Sequence, residues 1–457
     1  MKQYDIVVIG AGPGGYVAAI KAAQSNLSVA LIEKQEIGGV CLNWGCIPTK
    51  AMLKSAKVYL QAKHASDYGI LLDSNSVKPD WKQIVGRKDK IVKRLTGGVA
   101  SLLKKNGVVL YQGEGVIADK ETIHVNGEIL KAKHLILATG ASNVVPPIPG
   151  LKEGIEKGFV KDNRSLLATM DMPKKLVVIG GGVIGVEFAT LFASFGVPVV
   201  ILEKLPAILT TIDDEVRDAF LKIFKRPGVQ VLVNAEVVEV GQNAVSYRLD
   251  GKLETVEADT VLLSVGMRPN VKGLENLNLE LEKGAVKTDE TLRTSVKNVY
   301  AIGDLNGKSM LAHTASAEAI VAVNTILGKK DHIDYGKIPA AIYSFPEIVT
   351  LGLTEKAARE QGKDIVVSRF PIAANGKSLS DGETEGFIKL IADAKYKEIL
   401  GVHILSSSAT ELAPELTLAM HLEATAEDIA HSVHMHPTAS EIIQEAAEGL
   451  IGKAIHF

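Results

Sequence analysis

The sequence predicts an α/β protein with two Rossmann-like strand–helix–strand units and a third, α+β region at its C-terminal end. Three observations predict this. Residues 7–34 and 177–204 align without a gap at a constant offset of 170. In both, an apolar run gives way to a G-x-G-x-x-G turn, a helical stretch and a second apolar run. From Asp334 onward the pattern changes to short strand-like segments and helices.

Composition sets the outer limits. With 457 residues, roughly three domains are expected. The apolar share of 46 % and charged share of 23 % are those of a folded globular chain. A net charge of −2 excludes a gross basic bias toward nucleic acid. No apolar run is long enough for a membrane helix, because Pro146, Pro147 and Pro149 break the uncharged stretch 135–151. The N-terminus lacks a secretory pattern, so a cytoplasmic location is expected.

VVIGAGPGG and VVIGGGVIG each follow a buried-strand pattern. The first glycine of each motif, Gly10 or Gly180, makes the turn. The second, Gly12 or Gly182, lets a pyrophosphate approach the backbone, and the third, Gly15 or Gly185, lets helix pack on strand. Phosphates are held at the helix N-terminus by its unpaired amides. The second apolar run ends in Glu33 or Glu203, 18 residues beyond the third glycine, placed to accept hydrogen bonds from a ribose. One such motif is weak; two with matching flanks predict two dinucleotide sites and an electron relay between them. Glu203 would repel a 2′-phosphate, so the second site suits NAD rather than NADP. Lys204 matches Lys34 of the first copy and is read as shared pattern.

Only two cysteines occur, Cys41 and Cys46, in GGVCLNWGCIPTK. They are either incidental or catalytic. Residues five apart in a regular helix have Cα atoms roughly 8–9 Å apart, and a disulfide needs less than about 7 Å. A bridge therefore requires an irregular turn, which Asn43 and Gly45 permit. Pro48 suits the first turn of a following helix. That places Cys46 near a helix N-terminus with Lys50 close by, and both features favour a thiolate.

GGVCLNWGCIPTK closely resembles the redox-active segment of the FAD-dependent pyridine nucleotide–disulfide oxidoreductases. Supporting motifs are Ala138-Thr139-Gly140, Gly266-Met267-Arg268-Pro269-Asn270, Tyr300-Ala301-Ile302-Gly303-Asp304, Met310-Leu311-Ala312-His313 and His434-Met435-His436-Pro437-Thr438. The resemblance covers essentially the whole chain and is best to the dihydrolipoamide-oxidising members. It implies oxidation of protein-bound dihydrolipoamide to lipoamide, with electrons passing through a Cys41–Cys46 disulfide and FAD to NAD. Cys46 would face the flavin and Cys41 would exchange with substrate. Gly10, Gly12, Gly15, Glu33, Lys50, Gly115, Thr139, Gly140, Asp304, Met310, Leu311, Ala312 and His313 would form the FAD site. Lys50 would pair with Glu187. Gly180, Gly182, Gly185, Glu187, Glu203, Val238 and Gly266 would form the NAD site. One departure is Thr314-Ala315-Ser316-Ala317, where many relatives carry a lysine and acids.

His431, His434 and His436 precede the last helical stretch. A metal site is one reading, since His434 and His436 share a face of an extended segment, but no cysteine or acid has matching spacing. A structural reading is a T-x-x-E capping box, Thr438 with Glu441, for a helix beginning near Ala439. The third is a His436–Glu441 pair acting as general base. The resemblance supports the third and implies that His436 serves the disulfide of the partner subunit.

The expected layout is a discontinuous FAD-binding domain (1–148 and 265–333), an inserted NAD-binding domain (149–264) and a dimerisation domain (334–457). Helical stretches 51–63 and 89–106 should pack beside the FAD site. The resemblance implies a homodimer with shared active sites. It also implies a lipoyl-bearing partner: the acyltransferase subunit of a 2-oxo acid dehydrogenase complex, or a glycine-cleavage H protein. Glutathione reductase, mercuric reductase and a flavoprotein acting mainly as a structural subunit, with redox chemistry secondary, are rival readings. Glu203 disfavours the NADPH-linked first, the absence of a C-terminal cysteine pair the second, and Cys41, Cys46 and His436 the third.

Overall fold

A computed structural model describes residues 1–225 and 228–457. The chain divides into two units: Met1–Pro147, Lys161–Met172 and Ser264–Tyr335 form one, and Ile148–Val160, Pro173–Leu263 and Gly336–Phe457 form the other.

Unit one is built on a parallel sheet in the order Val109–Gln112, Val29–Glu33, Lys2–Ile9, Glu128–Leu137, with Val299–Ala301 also paired to the last of these. The apolar run Ile6–Ile9 belongs in such a strand because both of its faces are covered. Ile6 and Val8 pack with Ala18, Ala22, Leu31 and Leu103 on one side. Val7 and Ile9 pack with Ala30, Ile32, Leu135 and Leu137 on the other. Each such fully buried side chain contributes about 1.5–3 kcal/mol. The expected helical stretch 51–63 lies within the helix Cys46–Lys63, and 89–106 runs to the C-cap Asn106 of the helix Trp81–Lys105.

Residues 161–172 fold with unit one although they lie inside the stretch 149–264. Lys88 Nζ donates to Leu167 O at 3.1 Å and Trp81 Nε1 to Thr169 O at 3.0 Å. These two bonds tie the segment to the long helix Trp81–Lys105.

Unit two contains a parallel sheet in the order Val229–Leu232, Val199–Leu202, Leu176–Ile179, Thr260–Leu263. It also holds a three-stranded antiparallel sheet, Glu236–Val240, Ala244–Leu249, Lys252–Glu257. Its C-terminal part is a five-stranded antiparallel sheet in the order Ala340–Ile342, Glu347–Gly352, Ile399–Ser406, Phe387–Asp393, Ile365–Pro371. Leu412, Leu416, Ile442, Ile443 and Ala446, from helices Ala409–His421 and Glu441–Ile451, share one core with Leu390, Val402 and Ile404 of that sheet. This is the α+β region expected from Asp334.

The repeat survives in three dimensions at the same offset of 170. Ile6 pairs with Val29 and Leu176 with Val199, each opening a parallel register of four residue pairs. Among the described residues, no helix is long and apolar enough to cross a membrane.

Candidate functional site

The first glycine turn is closed by backbone contacts that exclude any side chain. A Cβ on Gly10, whose φ is +99°, would lie 2.2 Å from Ala138 O, and one on Gly15 would lie 1.8 Å from Gly10 O. A Cβ on Gly39 would meet Gly12 Cα at 2.7 Å, so the cysteine-bearing segment is seated on this turn. Gly12 itself faces open space and begins the helix Pro13–Gln24 without a side-chain cap. Free amides at a helix N-terminus beside an open glycine suit a pyrophosphate.

Other motifs converge on the same turn. Ala138-Thr139-Gly140 is locked to Asn270: Thr139 Oγ1 donates to Asn270 O and Asn270 Nδ2 to Thr139 O, both at 2.9 Å. Ile302 side-chain atoms and Ala315 O lie 3.1–3.4 Å from where a Gly14 Cβ would stand. Gly115 packs on Ile32. Met310 is exposed, and Ala312 and His313 open the helix Ala312–Ile326. Asp304 is half-buried, and burial raises its carboxyl above the ordinary range. Among the described residues no neighbouring side chain bonds this carboxylate, which suits a ligand that brings hydroxyl donors. The first site therefore fits FAD.

Sequence reasoning missed Glu318, which holds the Asp304 loop. It is fully buried in the helix Ala312–Ile326. Its Oε2 accepts Gly303 N at 2.5 Å; its Oε1 accepts Asn306 Nδ2 at 2.9 Å and the Tyr335 hydroxyl at 2.6 Å. The signal was an acid at helical spacing from buried Thr314, Ala315, Val321 and Ala322.

The second turn copies the first. Glu33 Oε2 accepts Ala11 N and its Oε1 accepts Gln35 N; Glu203 Oε2 accepts Gly181 N and its Oε1 accepts Leu205 N; all four are 2.7 Å. Each glutamate thus braces its own glycine loop and keeps unused lone pairs for a ribose. Gly180 has φ +107° and Gly182 is open at an uncapped helix start. Gly185 is buried in that helix, Val183–Ser194. Lys204 Nζ is engaged by Glu236 Oε1 at 2.7 Å. Val238 sits at a β-bulge between Val237 and Glu239. The second turn, with the same open glycine, uncapped helix start and glutamate brace, fits a dinucleotide. Gly266, with φ +111°, lies in unit one, where its carbonyl accepts Val144 N at 3.0 Å. Lys50 is in unit one; Glu187 is in unit two, buried, its Oε1 accepting Tyr343 N at 3.1 Å.

Cys41 lies in the short helix Gly39–Trp44, and Cys46 opens the helix Cys46–Lys63. Gly45 breaks the two with φ −132° and ψ −112°. This is the irregular turn the spacing demanded; Asn43 contributes differently, its Nδ2 donating to Ile37 O and Gly39 O at 2.9 Å. The two sulfurs are thiols within hydrogen-bond reach of each other. The bond to Cys46, then burial, push the Cys41 thiol up from its ordinary value, while the Lys50 ammonium acts the other way.

His436 Nδ1 lies 2.8 Å from Glu441 Oε1, and Glu441 Oε2 accepts Thr438 N at 2.9 Å. Only this backward half of the expected capping box forms. Thr438 Oγ1 donates to Met435 O at 2.7 Å and lies 2.8 Å from Ser440 Oγ, and the helix begins at Glu441 rather than near Ala439. Burial opposes the Glu441 carboxylate, but bonds from Thr438 and His436 outweigh it and hold its pKa below the ordinary value. His434 turns to a different acid, its Nε2 lying 2.8 Å from Glu415 Oε1.

The chain matches the pyridine nucleotide-disulphide oxidoreductase model over residues 4–319 and the corresponding dimerisation domain over 338–447. It is 56 % identical to the dihydrolipoyl dehydrogenase of Acholeplasma laidlawii over 326 residues, covering 71 % of this chain and 97 % of that protein. It is 43 % identical to the dihydrolipoyl dehydrogenase of Bacillus subtilis, covering 100 % of this chain and 98 % of that one. Among solved structures, the HOCl-induced flavoprotein disulfide reductase RclA from Escherichia coli superposes with a TM-score of 0.87 at 27 % identity, over 97 % of this chain and 99 % of that one. Two glycine turns, a dithiol seated on the first, and matches across both parts of the chain make it a member of the pyridine nucleotide-disulphide oxidoreductase family, with that family's dimerisation domain and homodimeric assembly.

Proposed function

We propose that the protein oxidises protein-bound dihydrolipoamide to lipoamide, with the electrons passing through Cys41 and Cys46 and FAD to NAD. The observation that carries this is the Cys41/Cys46 thiol pair, hydrogen-bonded across the Gly45 break and seated on the first glycine turn. Bound FAD and NAD supply the electron transfer between carriers.

The chain's own residues do the thiol chemistry. His436 of the partner subunit, oriented by Glu441, takes the proton of one substrate thiol. The substrate thiolate attacks Cys41, breaks the Cys41–Cys46 bond and leaves Cys46 as thiolate. The second substrate thiolate displaces Cys41, which takes up a proton. The substrate leaves as a disulfide, and Cys41 and Cys46 hold its electron pair. The Gly10–Glu33 unit, Asp304 and Lys50 hold FAD, and the Gly180–Glu203 unit holds NAD. Glu187 completes the catalytic set. In domain terms, 1–148 and 265–333 serve FAD, joined by 161–172, the rest of 149–264 serves NAD and 334–457 form the interface.

The lipoyl group would arrive on the acyltransferase subunit of a 2-oxo acid dehydrogenase complex or on a glycine-cleavage H protein. NADH formation from NAD and free dihydrolipoamide tests the reading. Wild type should turn over, and Cys41→Ser should not. A preference for NADPH with another disulfide, and no reaction with dihydrolipoamide, would overturn it.

A further inference from the structure

Nothing in helix geometry fixes the distance between Cys41 and Cys46. They ride on two different helices, so the approach of the sulfurs depends on what holds the residues at the Gly45 break, Trp44 among them. The Trp44 carbonyl closes the short helix. The helical donor to it, four residues on, would be the N–H of Pro48, which has none, so the carbonyl lacks its i+4 helical partner.

That partner comes from 119 residues away. Asn163 Nδ2 donates to Trp44 O at 2.6 Å, and Asn163 is buried. The direction of its amide is set on the other side, where Asn143 Nδ2 donates to Asn163 Oδ1 at 2.8 Å and leaves Nδ2 for Trp44. The next residue, Arg164, places its guanidinium carbon 4.1 Å from the centroid of the Trp44 ring, a cation–π contact. Carbonyl and ring of Trp44, one of the four residues between the two cysteines, are thus both gripped by one short segment. Lys88 and Trp81 anchor that segment independently, through Leu167 O and Thr169 O.

We propose that Asn163 is a positioning residue for the redox pair: by holding Trp44 across the Gly45 break it keeps Cys41 and Cys46 at bonding distance. This rests on the proposed function, in which the pair closes and opens in each turnover. Closing removes two electrons and two protons from the dithiol. In the test these pass to glutathione disulfide, which becomes two glutathione thiols.

The holoenzyme is equilibrated in glutathione/glutathione disulfide mixtures and quenched with iodoacetamide, and alkylation of the peptide holding Cys41 and Cys46 is measured by mass. Asn163→Ala should lower the equilibrium constant for disulfide closure about tenfold, ~30 mV for a two-electron couple. Asn163→Asp keeps the volume and the acceptor toward Asn143 but presents no donor to Trp44, so it should shift the same way. Asn143→Ala, which only frees the amide to turn, should shift less. The kcat with dihydrolipoamide should fall in the same order, with the KM for NAD unchanged. Closure within twofold of wild type in the variants overturns the proposal. Equal loss of FAD content and of all activities marks general unfolding of a variant; if both Asn163 variants behave so, Asn143→Ala is the readout, and closure within twofold of wild type there overturns the proposal. A wild-type pair that never closes overturns the functional reading itself, and the inference with it.

Discussion

Glu441 divides its carboxylate between His436 and the backbone: Oε1 lies 2.8 Å from His436 Nδ1, and Oε2 accepts Thr438 N at 2.9 Å. The second bond fixes the carboxylate so that the first can fix the ring. A ring held at Nδ1 leaves Nε2 to accept a proton. His436→Ala should therefore lose about 10²–10⁴-fold in dihydrolipoamide turnover, the usual contribution of a general base. Glu441→Gln, which keeps the shape and loses the charge, should lose about tenfold, or ~1.4 kcal/mol of transition-state stabilisation. Steady-state rates with dihydrolipoamide check both. NADH-dependent reduction of a one-electron acceptor, which needs no thiol base, should survive in each.

Mixed dimers locate that base. Pairing a Cys41→Ser subunit with a His436→Ala subunit leaves one intact site if His436 serves the partner's Cys41, and none if it serves its own. Purified mixed dimers should show about half of wild-type turnover, as simple counting of intact sites requires. Activity no higher than either parent variant would reject the shared site.

Glu203 should govern both cofactor choice and cofactor affinity. Besides repelling a 2′-phosphate, it accepts Gly181 N and Leu205 N at 2.7 Å. Glu203→Arg should lower the NAD-to-NADP preference and also raise the KM for both, because the glycine loop loses its brace. KM values for the two nucleotides separate these effects. An unchanged preference would place the discrimination elsewhere.

Lys389 carries the largest predicted effect on stability. Its ammonium is buried 2.9–3.1 Å from Asp213, Glu215 and Glu355. Burial disfavours the Asp213 carboxylate, but His403 and Lys389 overcome this and hold its pKa low. Burial likewise opposes Glu355, and Lys389 and Arg359 bring it down to about 2. Carboxyls with depressed folded values add stability above their unfolded pKa, roughly 4. They lose it as pH falls through the folded value. Lys389→Met should cost about 3–5 kcal/mol at neutral pH by stranding buried carboxylates. The difference in thermal midpoint between wild type and variant should shrink as pH falls from 5 toward 2. A constant difference would show that charge plays no part.

The parts legible in the sequence are local. The two glycine turns, their terminal glutamates and the pairing register follow from short motifs repeated at one offset. The cysteines announced an irregular turn because their spacing fits no helix. The hidden parts are long-range. Asn163 meets Trp44 across 119 residues, and Lys389 meets Asp213 across 176, with no periodic pattern linking either pair. The start of the last helix was misplaced for a related reason: Thr438 spends its hydroxyl on Met435 O and Ser440 rather than on a helix amide.

The most direct test of the central claim follows the two sulfurs through a single turnover. Oxidised holoenzyme is mixed anaerobically with one equivalent of dihydrolipoamide per subunit, and samples are alkylated before and after excess NAD is added. Cys41 and Cys46 should both become alkylatable as lipoamide forms, then become protected again as an equal amount of NADH appears. NADH formation with both cysteines unchanged throughout would contradict the account.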